Sequence, residues 1–96
     1  MVLRHFEKQI GKDLKDIKNF LDIGDSAGLF QKAHALKGAA SAVCAGRIRE
    51  LAMLMEQLGK EKNVQEAKTH VEVLEQEVSE CLRYLKSLES GEHRHG

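Results

Sequence analysis

From Val64 onward the chain repeats one pattern without a fault: Val64, Ala67, Val71, Leu74, Val78, Cys81, Leu85 and Leu88 follow one another at alternating steps of three and four residues. Apolar residues at that spacing line one face of an α-helix. A helix with so long an apolar stripe draws its stability from packing, so it demands partners. They can come from a second copy, as in a coiled coil, or from elsewhere in the same chain.

The same chain supplies three. From Val2 to about Asp22, Leu3, Phe6, Ile10, Leu14, Ile17 and Leu21 recur at helical spacing, with Lys, Glu and Asp between them. Gly11 falls inside this helix at a cost of about 1 kcal/mol relative to alanine, which marks it as the helix expected to bend or fray. Gly24 provides a stop, and Asp25 or Ser26 can cap a second helix. That helix is expected over Ser26 to Val43, with Leu29, Ala33, Leu36, Ala40 and Val43 on its apolar side. The chain turns around Cys44, Ala45 and Gly46. A third helix carries Ile48, Leu51, Met55 and Leu58 until Gly59 ends it, and Lys60 to Asn63 form a charged loop. Short links favour antiparallel neighbours, so the expected fold is all-α, an antiparallel up-down four-helix bundle over residues 1–90. Residues 91–96 show no apolar periodicity and are expected to form a disordered tail.

Composition agrees and removes several functions. A folded chain of 96 residues buries roughly 60–65% of the surface its unfolded form exposes, enough for one core without staples. Proline is absent and aromatics make up only 4%, which favours helices over a turn-rich sandwich. Fifteen basic and fifteen acidic residues cancel, giving no reason to expect nucleic acid or direct membrane contact. The balance is not uniform, because Ser26 to Arg49 contains Lys32, Lys37, Arg47 and Arg49 and no acid. Cys44 and Cys81 match no metal-ligand or redox spacing and read as two buried thiols of a reducing compartment. No apolar run approaches the roughly 20 residues of a membrane span, and the start lacks a signal-peptide pattern.

The residues that carry chemistry lie in the second helix. On a wheel of about 100° per residue, His34 points about 140° away from the centre of the apolar set and faces solvent. Lys37 and Gly38 lie one turn on, and Phe30, Gln31 and Ser41 share the same side. Ser41 offers no catalytic constellation, since no acid lies within two turns. Inward Glu-x-x-His pairs for a di-metal bundle are absent, Glu66 with His70 being on the polar side of the last helix, so no metal site is expected. Nor do Gly38 and Gly46 form a nucleotide-binding fingerprint. What remains is an exposed imidazole that can itself attack a phosphoryl group and hold it as a phosphoramidate. Lys37 would offset the charge of the phosphoryl oxygens as a mobile point charge. Gly38 costs about 1 kcal/mol in mid-helix, and clearance for a partner's active site would compensate.

Ala33-His34-Ala35-Leu36-Lys37-Gly38-Ala39-Ala40 resembles the signature of the histidine-containing phosphotransfer (HPt) domain of bacterial phosphorelays. That motif is a histidine followed three and four places on by lysine and glycine, inside the second helix of a four-helix bundle. The five-residue pattern alone is weak; the bundle around it and the outward histidine make it specific, and the likeness covers nearly the whole chain. The resemblance implies that His34 takes a phosphoryl group from the aspartate of one response-regulator receiver and passes it to another. The protein would need no cofactor of its own, Mg²⁺ being supplied by the receiver. A polar residue on the following helix often steadies the histidine's other nitrogen in this family. By position that is Glu56 or Gln57, with Glu56 preferred. Phe30, Gln31, Ser41 and Arg47 are the candidate docking residues. The chain departs from the family pattern at the turn after the second helix, where Cys44 stands in place of the usual glycine and a glycine follows at Gly46.

The expected context is a monomeric, cytoplasmic module from the C-terminal end of a hybrid sensor histidine kinase, an inner-membrane parent being one option. Its partners would be receivers and that kinase. Three rivals remain: the phosphoacceptor domain of a chemotaxis-type kinase, labelled directly from ATP; a helical docking module that carries no phosphate; and a self-associating coiled coil. Plainer readings also stand beside each residue. Lys32, Arg47 and Arg49 serve equally well as solubility charges, Phe30 as a partly covered side chain, and Met53, Leu54 and Met55 as core and its edge.

Overall fold

The computed structural model describes residues 2–40 and 46–95, and side chains over residues 5, 7–40 and 46–87. The described residues contain four helices: α1 (Val2–Ile23), α2 (Ser26–Ala40), α3 (Gly46–Lys60) and α4 (Val64–His95). Each packs against its neighbour in the chain, and α4 closes on α1. Cross-helix contacts run antiparallel. Phe20 of α1 meets Gly28 of α2 while Asp16 meets Lys32. Gly59 of α3 meets Ser26 and Phe30 of α2 while Glu56 meets His34. The fold is the all-α four-helix bundle that the apolar periods predict.

One residue set closes the core. Ile10, Ile17 and Leu21 of α1, Leu29, Ala33 and Leu36 of α2, Ile48, Ala52 and Met55 of α3, and Leu74, Val78 and Leu85 of α4 are all at most 2% exposed. Each large aliphatic side chain buried this way contributes about 1.5–3 kcal/mol. Small residues concentrate where α2 meets α3, namely Ala33 and Ala40 on one side and Ala52 and Gly59 on the other, and this is the most extensive pairing of the bundle. Leu3, Phe6 and Leu88, expected in the same core, have side chains outside the described set. Cys81 is a buried cysteine; Cys44 lies outside the described residues.

Two junctions are built alike. At the end of α1 the N–H of Gly24 donates to the carbonyl of Leu21 and that of Asp25 to the carbonyl of Phe20, at 3.3 and 2.9 Å. Gly24 takes the left-handed conformation, φ 74°, that this ending requires. Asp25 then caps α2 by accepting the N–H of Gly28 at 2.9 Å. At the end of α3 the N–H groups of Lys62 and Asn63 donate to the carbonyls of Gly59 and Leu58 at 3.1 and 2.8 Å. Asn63 caps α4 by accepting the N–H of Glu66 at 3.2 Å. The left-handed position here is Lys62, φ 60°, and not a glycine.

Several sequence expectations shift. Gly59 does not end α3; it is a buried residue inside the helix, which runs on to Lys60, because its missing side chain serves packing and not termination. Gly11 leaves α1 one continuous helix from Val2 to Ile23, its cost of about 1 kcal/mol being small against the packing on either side. The backbone of α4 is helical through His95. No proline interrupts its hydrogen-bond ladder, and Gly91 alone is a weak breaker. At about 48 Å for 32 residues, α4 accounts for the 50 Å long axis of the molecule. The expected extension of α2 to Val43 and the turn at Cys44 fall in residues 41–45, outside the described set.

Candidate functional site

Leu29, Ala33 and Leu36 fix which way α2 faces, since all three are fully buried. His34 is thereby turned outward, with its side chain 64% exposed. One turn earlier, Phe30 stacks on the imidazole with ring centroids 6.4 Å apart and planes 19° from parallel. That separation lies within the range of attractive aromatic pairs.

Glu56 reaches the imidazole from α3. Its Oε2 lies 2.8 Å from His34 Nδ1, and its Oε1 lies 2.7 Å from Lys37 Nζ. Lys37 and His34, as hydrogen-bond partners, hold the Glu56 carboxyl below the usual carboxylate range against a smaller opposing effect of burial. An ionised carboxylate can only accept, so Nδ1 carries the proton of this bond. In the neutral ring Nε2 therefore keeps its lone pair, which is the nitrogen able to attack an electrophile. Of the two candidates on α3, the structure brings Glu56 to the histidine. Gln57 turns away and donates to Glu61 at 2.7 Å.

Gly38 is exposed, and a Cβ built there would meet nothing within 4 Å. Packing does not require glycine at this position. The same holds for Gly11, so openness alone does not mark a site; Gly38 is distinguished by lying one turn from His34. Beside it, Phe30, Lys37, Met53, Glu56, Gln57 and Lys60 line a groove of about 300 Å³ between α2 and α3. Phe30 and Met53 are exposed apolar residues on its walls. Gln31, also exposed, lines an adjoining groove with Ser26, Ala27, Phe30 and Gly59.

Other expected site residues are not brought there. Arg47 lies near Glu50 and Glu77, each at 3.8 Å, nine residues or about 14 Å of helix from Glu56. Ser41 lies outside the described residues. Lys32 faces α1, 3.0 Å from Asp16 and 3.9 Å from Asp13, so it ties two helices together. Among the described residues no group of three or more His, Cys, Asp or Glu converges as metal ligands, and no helix is long and apolar enough to cross a membrane.

Sequence reasoning missed three residues that shape this region. Asp13 is 1% exposed, with Gln9 donating to its Oδ1 at 3.0 Å and its Oδ2 buried without a hydrogen-bond partner. Its place three residues after Ile10 and four before Ile17 put it on the apolar face, a signal available from spacing alone. Gly28 and Gly59 are close-approach glycines. A Cβ at Gly28 would lie 2.5 Å from ring carbons of Phe20, and one at Gly59 would lie 2.8 Å from the backbone nitrogen of Phe30.

The family model described as Hpt domain matches residues 1–84 of the chain. No curated protein and no solved structure gives a match.

Proposed function

Because the chain belongs to the Hpt domain family, whose members carry out histidine phosphotransfer in phosphorelay signalling and interact with response-regulator receivers, we propose that His34 is its phosphoacceptor. The observation that carries this reading is the hydrogen bond between Nδ1 and Glu56, which leaves the lone pair on Nε2 of an exposed ring. In the step proposed, Nε2 attacks the phosphorus of a receiver's aspartyl phosphate. The N–P bond forms, the P–O bond to the aspartate breaks, and the carboxylate leaves with the electron pair. The ring keeps its Nδ1 proton and gains positive charge, which the Glu56 carboxylate offsets. Lys37 can follow the phosphoryl oxygens as a mobile cation. The receiver contributes the Mg²⁺. Transfer to a second receiver reverses the same bonds.

Docking falls on the face of α2 and α3 around His34. Phe30 and Met53 give it an apolar centre, Gln31, Lys37 and Lys60 a polar and basic rim, and Gly38 leaves the approach to the ring open. A parent hybrid kinase would present this face to its own receiver and then to a separate regulator. Incubation with a phosphorylated receiver is expected to place acid-labile, base-stable label on the protein, and His34→Gln to abolish it. Label retained by His34→Gln would sink the assignment. Labelling by ATP and a kinase core in place of a phosphorylated receiver would move the protein to the chemotaxis-type arrangement.

A further inference from the structure

We infer that Gly59 is a positioning residue for the phosphoacceptor site, setting the spacing between α2 and α3 at which Glu56 reaches His34. The inference rests on the reading of His34 above and adds a residue that its motif does not contain.

A Cβ at Gly59 would stand 2.8 Å from the Phe30 nitrogen, 3.0 Å from the Phe30 Cα and 3.0 Å from the Ser26 carbonyl oxygen. All three are backbone atoms of α2, so no side chain can swing aside. Phe30 lies one turn before His34 and stacks on its ring. Glu56 lies three residues before Gly59, on the same face of α3. The contact that brings the two backbones together and the hydrogen bond that orients the imidazole are therefore about one turn apart on the same pair of helices.

Magnitudes make the coupling strict. Relieving the overlap to ordinary contact would part the helices by roughly half an ångström, which carries a 2.8 Å hydrogen bond past the usual N–H···O range. Both partners of the Glu56 carboxylate, His34 and Lys37, stand on α2, so parting the helices stretches both bonds together. Gly28 is a useful contrast. It is just as crowded, but by the Phe20 side chain of α1, so its strain falls on the α1–α2 contact and away from Glu56.

The test reads the tautomer of His34, which a purely structural role would not move. Long-range ¹⁵N–¹H correlation spectra of the full chain with ¹⁵N-labelled histidine, at mildly alkaline pH, should find the wild type chiefly in the Nδ1–H form. Gly59→Ala should shift it toward the Nε2–H form and slow transfer from a phosphorylated receiver on the order of tenfold. Gly28→Ala should lower stability and leave the tautomer alone. Glu56→Asp withdraws the carboxylate by roughly 1.5 Å without touching the helix contact and should reproduce the shift. An unchanged tautomer in Gly59→Ala, or an equal change in Gly28→Ala, overturns the inference. Should Gly59→Ala not fold, Glu56→Asp decides, and an unchanged tautomer there overturns it as well. Because the tautomer is read without phosphate, a wild type that takes no label would sink the phosphoacceptor reading and leave this result standing.

Discussion

His34 and Glu56, on different helices and 22 residues apart, meet at 2.8 Å through Nδ1 and Oε2. An imidazole so far out in solvent is ordinarily free to rotate and to change tautomer, and this bond removes both freedoms. It also places a negative charge beside the nitrogen that shares the ring's positive charge once the other nitrogen is phosphorylated. In the reaction proposed, one carboxylate would thus do two things at different moments, orienting the nucleophile before attack and stabilising the product after it.

Glu56→Gln separates the two. The amide oxygen can still accept from Nδ1, but the charge is gone and the amide nitrogen faces Lys37. Transfer from a phosphorylated receiver, followed by rapid quench, is expected to slow about tenfold, or about 1.4 kcal/mol in the barrier. Glu56→Ala removes orientation as well and should slow it further. Equal rates in all three proteins would leave Glu56 as a surface tether of Lys37 only.

Gly38→Gln tests the open approach. A Cβ at this position meets nothing within 4 Å, so folding should be unharmed and helix propensity should improve by up to about 1 kcal/mol. Transfer should nonetheless slow, because the new side chain occupies the partner's path one turn from the imidazole. Thermal denaturation and transfer kinetics on one preparation check both halves; a more stable protein with unchanged kinetics would remove the explanation of this glycine.

These residues also mark how far the sequence can be read. Helix existence and facing were legible because periods of three and four dominate all four elements, and Ala33, Leu36 and Ala40 suffice to turn His34 outward. Gly59 was misread because a glycine after an apolar run looks like a C-terminal stop, whereas its reason is a neighbouring backbone that no local pattern reveals. Lys32 looked like an ordinary polar residue because its partners, Asp16 and Asp13, lie across on α1. Lys62 was invisible for another reason, since nothing about a lysine announces a left-handed backbone.

Lys62→Gly follows from that last point. Lys62 holds φ 60° to let Lys62 and Asn63 close the end of α3, and its Cβ makes this conformation costly by about 1 kcal/mol. Glycine removes the cost at an exposed position where no packing is lost. The variant should be more stable by up to about 0.5 kcal/mol in urea denaturation, the entropy of an unfolded glycine claiming the rest of the gain. Loss of stability would mean that the lysine side chain contributes more than its backbone costs.

Asp13 predicts a dependence on pH with a sign opposite to that of Glu56. Burial pushes its carboxyl above the ordinary value of 3.8, outweighing the Gln9 hydrogen bond and Lys32, whose ammonium stands 3.9 Å away and nearer to Asp16. The folded protein therefore binds this proton more tightly than the unfolded chain. Asp13 destabilises fully above its folded value, and stability rises as pH falls through that value toward 3.8. The Glu56 carboxyl is shifted the other way, so its contribution is complete above 4.5 and is lost only as pH falls through its lower folded value. Urea denaturation across the mildly acidic range should show a rise on acidification in the wild type that Asp13→Asn flattens and Glu56→Gln preserves. A wild type that only loses stability on acidification, with Asp13→Asn following the same curve, would place a solvated and ordinary carboxylate at position 13.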